Sequence, residues 1–251
     1  MKRFTYALKL IAIFLISLFC LTADAKAEPV DSENPVASAA SVSESDISTL
    51  KETSAYDLYL TVGQKKVYFP EVSVYALGTR DKFETDMGRG DFWSFEVKNA
   101  QSAVTSPGAV NTVGSLAADD IRRELIEIKV IVAEAENEGI TLTDDEEKEL
   151  METAKTQLAN VSAKIKAAYF LDENVLYMVY HDNFLAAKFY SEFMNRARYE
   201  HPGKSGEKLF TREFKKWYSS TTVGYDADKW QKLDVGAIGT VKDENDSSST
   251  E

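Results

Sequence analysis

The sequence predicts a mainly helical α+β domain, and three observations carry that expectation. Ile121, Leu125, Ile128, Val132 and Ala135 recur at spacings of four and three residues, which is one apolar face of a long helix. Between Asp172 and Phe193 two neighbouring stripes run together, Leu176, Tyr180, Phe184 and Ala187 beside Val179, Ala186, Tyr190 and Phe193. A face that broad touches more than one partner element. Upstream, Leu58, Leu60 and Val62 alternate with polar neighbours, Gly63-Gln64 supplies a turn, and Val67 and Phe69 continue the alternation of a hairpin.

Each element follows in order. Pro70 suits the first turn of a helix, which Glu71 to Met87 continue and Gly88 and Gly90 stop. Phe92, Trp93, Phe95 and Val97 form a compact apolar patch, and Ala100 to Gly114 reads as a loop. The long helix is expected from near Leu116, with Asp119 and Asp120 at its positive end and Gly139 closing it. Thr143 and Glu146 make a capping box that opens an acidic helix with a thin apolar face of Leu150, Ala154 and Leu158. Val161 to Leu171 is either a short helix or a turn, and Asp172 caps the aromatic helix. Phe210, Phe214 and Trp217 mark a shorter amphipathic helix, after which Val223 and Trp230 to Val235 are expected to return as strands.

The ends read differently. Lys2 and Arg3 precede an apolar run from Leu10 to Leu21, the length of a signal-peptide core and short for a membrane span, and Ala23-Asp24-Ala25 and Ala25-Lys26-Ala27 each fit a cleavage site. Residues 1–27 are therefore expected to be a signal peptide, with lipidation at Cys20 opposed by the bulky Phe19 and an uncleaved anchor as the other alternative. Residues 28–54 form a Ser-, Ala-, Glu- and Pro-rich spacer and residues 239–251 an acidic tail, both too poor in large apolar groups to offset their ordering entropy. The folded domain is expected over 55–238.

The charge is -12, and removing residues 1–27 takes away four positives and one negative, leaving about -15. That balance argues against nucleic acid, which needs a basic footprint, and against tight docking on anionic lipid, so contact with the membrane is expected only through the signal peptide. Cys20 is the single cysteine, so no disulfide staples the domain. Neither histidine, His181 or His201, has a Cys partner or an H-x-x-x-H spacing, and no Gly-x-Ser-x-Gly elbow or P-loop occurs. No catalytic residue, metal or cofactor is assigned. Asp144 to Glu147 reads as a solvated helix start rather than a calcium loop, and Lys204, Lys208, Arg212, Lys215 and Lys216 as a solvated basic face. Arg89-Gly90-Asp91 spells an adhesion tripeptide on an expected loop, and through it a secreted surface-binding module is one alternative function.

The order of these elements carries a resemblance. A hairpin ending in VYFPE, a helix, then DDIRRELIEIKVIVAEAENEGITLTDDEEKEL, the aromatic VLYMVYHDNFLAAKFYSEF and a late FKKWYSSTTVGYDADKW together resemble the N-terminal core of SurA/PrsA-type secreted chaperones. The junction from Gly139 to Glu147 is moderately specific, since other helical proteins use the same caps; the whole order is stronger than any piece of it, and the likeness spans roughly 56–235. In such proteins the N- and C-terminal segments pack together, and a catalytic parvulin domain is often inserted after the aromatic helix. Here the join, Met194 to Leu209, is too short for one. The resemblance implies an exported, ATP-independent chaperone that holds unfolded or nascent polypeptides in a cleft, and argues against enzymatic isomerisation. A peptidyl-prolyl isomerase is the alternative within the family. Trp93, Phe95, Tyr169, Phe170, Tyr177 and Tyr180 are the residues expected to line that cleft, because aromatic rings offer large, sequence-tolerant contact area; ordinary core packing is the alternative for each.

Overall fold

The computed structural model describes residues 53–98 and 110–239. The expected signal peptide, nearly all of the expected spacer and the expected acidic tail beyond Gly239 fall outside these residues. The fold is mainly helical with one small antiparallel sheet, as the sequence predicts.

Strands β1 (Leu58–Val62) and β2 (Lys65–Tyr68) form the hairpin, and β3 (Val223–Tyr225) adds to the other side of β1, giving the order β2-β1-β3. A register shift between Leu58 and Leu60 breaks the simple alternation. It places Tyr59 and Leu60 both inside, where strict alternation would have turned Tyr59 to solvent. The buried Tyr59 ring meets Trp230 edge-on at 5.5 Å, and the Trp230 indole N–H donates to the Tyr59 carbonyl at 3.1 Å. The two ends of the domain are thus one packing unit.

Helix α1 (Phe69–Met87) follows β2 directly with Pro70 in its first turn, and Gly88 ends it at φ 63°. Helix α2 (Val113–Asn137) begins earlier than the sequence suggests, because Thr112 and Ser115 form a reciprocal capping box. Helix α3 (Asp144–Asn160) starts at the expected Thr143–Glu146 box. The ambiguous stretch resolves as a short helix, α4 (Ala163–Ala168), capped by Ser162. Helix α5 (Glu173–Glu200) starts at the expected Asp172 cap and continues well past Phe193. Helix α6 begins at Gly206 and runs to Ser220, so residues 201–205 alone join it to α5, fewer than the Met194–Leu209 interval read from the sequence. Trp230 stands in helix α7 (Ala227–Lys232), capped by Asp226, and not in a strand as expected; its ring is required against Tyr59.

Helix α5 packs against α1, α2, α3 and α6, which is what its two stripes foretold. Its outer half meets α6 through an aromatic cluster in which Tyr190, Phe193 and Trp217 all stand edge-on to Phe210. Helix α2 is buried on nearly every side in its middle, with Leu125, Ile126, Ile128, Val130, Ile131 and Val132 all in the core. Among the described residues no helix is long and apolar enough to cross a membrane.

Candidate functional site

A cleft of about 470 Å³ opens between α1, the last turn of α3, α4, the start of α5 and the C-terminal segment. Its walls are apolar: Val74 and Leu77 from α1, Ile165 from α4, Leu171 and Leu176 around the start of α5, and Ile238. Arg80, Asp81 and Glu84 sit at its rim. Arg80 donates Nε–H to Glu84 Oε1 at 2.9 Å and bonds the Ile238 carbonyl through Nη1, so it holds the C-terminal wall in place. Partial burial raises the Asp81 carboxyl. Gly239 adopts φ 80°, and its N–H donates to the Tyr169 hydroxyl at 2.8 Å.

Next to this cleft lies a backbone outlier. The Leu171 N–H donates to the Lys166 carbonyl at 2.9 Å, closing α4 with Phe170 at φ 53°, a left-handed position usually held by glycine. Holding phenylalanine there costs about 1–2 kcal/mol. The result is a ring that is 39% exposed, standing edge-on to Phe69 at 6.4 Å, between Tyr169 and the cleft residue Leu171.

The six aromatic residues predicted from sequence do not share one surface. Tyr169 is buried behind the C-terminal wall and Phe170 is exposed beside it. Trp93 is core: its indole N–H donates to Glu84 Oε1 at 2.9 Å, and its side chain lies so close to Gly236 that a Cβ there would meet it at 2.6 Å. Phe95 is half-exposed at the other end of α1, with the Arg89 guanidinium 5.6 Å from its ring centre. Arg89 and Asp91 of the adhesion tripeptide bond to each other. Tyr177 and Tyr180 lie on α5, the first bonded to Glu147 of α3 and the second buried with no partner for its hydroxyl among the described residues. None of the six lines the cleft: Tyr169 bonds Gly239 next to the Ile238 wall, Phe170 precedes the wall residue Leu171 in the chain, and Trp93, Tyr169 and Tyr180 are buried in the core.

Sequence reasoning missed a buried charge cluster where α1, α2 and α5 meet. Lys129 Nζ lies 2.6 Å from both Glu71 Oε1 and Asp182 Oδ2, with all three side chains almost wholly buried. Burial raises the Glu71 carboxyl despite the Lys129 charge beside it. Burial also pulls on Lys129 and Asp182, but Glu71 and then Asp182 hold the Lys129 ammonium high, and His181 and then Lys129 hold the Asp182 carboxyl low. Asn183 extends the cluster by donating to the Tyr75 hydroxyl at 2.7 Å. The signal was present in the sequence: a single lysine inside the run LIEIKVIV, where apolar residues point in every direction, has no solvent face to reach.

A second polar set joins α3 to α5. His181 Nδ1 is 3.0 Å from Asp182 Oδ1 and Nε2 is 3.6 Å from Glu147 Oε1. Tyr177 donates its hydroxyl to Glu147, and Lys188 donates to Glu146 Oε2 at 2.6 Å. Within the acidic start of α3, Asp144 and Asp145 are exposed, as the solvated-start reading expects, while Glu146 and Glu147 are anchored on α5. Among the described residues no group of three or more His, Cys, Asp or Glu side chains could hold a metal ion. No family model, curated protein or solved structure matches this chain, so the likeness to SurA/PrsA-type proteins rests on the order of its elements and its quoted motifs alone.

Proposed function

We propose that this chain is an exported, ATP-independent chaperone of the SurA/PrsA kind without the inserted isomerase, and that it holds apolar segments of unfolded or newly exported polypeptides. The observation that carries the reading is the apolar cleft of about 470 Å³ with the strained, exposed Phe170 beside it. Backbone strain held at a partly exposed residue points to a functional position. A cleft of that size takes a few side chains of an extended segment, and its apolar walls select by hydrophobicity rather than by sequence. Two further features support the reading. The first strand pairs with the last, so N- and C-terminal segments close one core. Residues 201–205, at the place where the family often carries its catalytic domain, make a short turn between helices.

The test mixes the chain from residue 28 onward with a chemically unfolded client at near-equal molar ratio and follows light scattering. Suppressed aggregation without nucleotide is the expected result, weakened by Phe170→Ala and Ile165→Ser at unchanged melting temperature. No suppression across several clients would remove general chaperone activity, and acceleration of a proline-limited refolding reaction would point to isomerase activity instead.

A further inference from the structure

Helix α3 lies along α5 over an extensive surface but buries few side chains there, with Leu158 partly buried against the core. Of its seventeen residues only Leu150, Ala154 and Gln157 are buried, and its main packing partner is α5. Its strongest polar contacts come from one end: Glu146 takes Lys188, and Glu147 takes Tyr177 and faces His181. On α5, positions 177, 181, 184 and 188 fall on one helical face, so these three polar side chains bracket the half-buried Phe184. We propose that α3 is a displaceable cover on α5, latched by Glu146 and Glu147, and that breaking the latch swings it away and opens the α5 face carrying Tyr177 and Phe184. The motion is independent of the chaperone reading; only the assignment of an apolar client segment to the uncovered face rests on it.

The latch is sensitive to pH through His181. On its own helix His181 faces Asp182 and Tyr177; from α3 it faces Glu147, and from α2 it feels Glu136. Lys129 of α2 and Glu71 of α1 reach it only through Asp182. The hydrogen bond to Asp182 and the surrounding carboxylates raise its titration above the ordinary histidine value despite partial burial. Asp182 lies on the same helix and acts on His181 whether or not α3 is seated, so the Glu147 carboxylate is the part that couples titration to the latch: the imidazolium strengthens the latch at low pH, and this contribution is lost as pH rises through the raised value. Above it, Nε2 no longer brings a positive charge to Glu147, and the tyrosine bond and Lys188 are left to hold the helix.

With Cys20 replaced by serine the chain has no thiol, so a single introduced cysteine reports one location. Ala154→Cys lies under α3 and Ala135→Cys in the core of α2, both fully buried. Labelling under native conditions, corrected for thiolate fraction, is expected at least about tenfold faster at 154 than at 135. Adding His181→Gln or Tyr177→Phe is expected to raise the rate at 154 a further three- to tenfold, about the effect of one partly screened charged hydrogen bond, and leave 135 unchanged. Raising pH from 6 to 8.5 is expected to act in the same direction, and Leu150→Cys, buried on α3 and away from the cleft, must reproduce the order seen at 154. Equal rates at 154 and 135, or no response at 154 to the latch variants, would overturn the cover. Failure to suppress client aggregation would remove the chaperone reading while leaving a fast, latch-dependent 154 in place.

Discussion

The junction of α1, α2 and α5 and the seat of α3 on α5 both combine apolar packing with ion pairs, but in opposite proportions. At the junction the side chains close on every side and a lysine is enclosed with two carboxylates. At the seat of α3, Leu150 and Ala154 are the only buried apolar side chains of the helix, with Leu158 partly buried against the core. Charges in the first place fix which helices meet, because an unmatched charge there has no water to turn to. Charges in the second place supply a share of the binding that solvent and pH can take back. The same residue types therefore lock one interface and leave the other adjustable.

The largest expected effect breaks the first region. Lys129→Met leaves Glu71 and Asp182 facing each other without a cation and is expected to cost about 3–5 kcal/mol in a denaturant titration, or to prevent folding. Adding Glu71→Gln to that variant is expected to recover part of the loss, because burial already disfavours the Glu71 charge. Next comes a matched pair of truncations. Leu125→Ala in α2 is expected to cost about 3–5 kcal/mol of global stability, and Leu150→Ala in α3 about 2 or less, with hydrogen exchange rising through α3 before the core. Equal, global effects would erase the contrast between the regions.

A smaller effect concerns Glu124 on α2, whose Oε1 is buried without a hydrogen-bond partner among the described residues. Burial, helped by the Glu127 and Asp120 charges, pushes its carboxyl up to about 8, and burial pushes Glu127 up to about 7. Both folded values lie above the unfolded one, so each carboxylate costs nothing below about pH 4.5 and its full penalty only above its folded value. Melting temperature is expected to fall as pH rises from about 5 to 9, and Glu124→Gln to flatten that slope without moving the acid end. The smallest effect is a gain: Phe170→Gly relieves the left-handed strain and is expected to raise stability by up to about 1 kcal/mol while weakening client binding. A loss of stability would instead make Phe170 a packing residue for Phe69.

The helices and most of their caps were legible in the residues, because periodicity and capping are local. Thr143, Glu146, Gly139 and Asp172 announce boundaries through bonds made within a few residues. The sequence also showed that α5 must touch several partners. It misplaced Trp230, since that residue's surroundings are set by Tyr59 at the far end of the chain and a bulge turns Tyr59 inward. It grouped six aromatics into one cleft because residue type says nothing about which side of which helix a ring shares. Only the tertiary structure decided that Trp93 and Tyr180 are core, that Phe170 is held out by an i to i−5 closure, and that Lys129 finds Glu71 and Asp182. The Lys129 contacts join residues more than fifty positions apart, and the energy that selects them is desolvation, which exists only once the helices have closed over the charges.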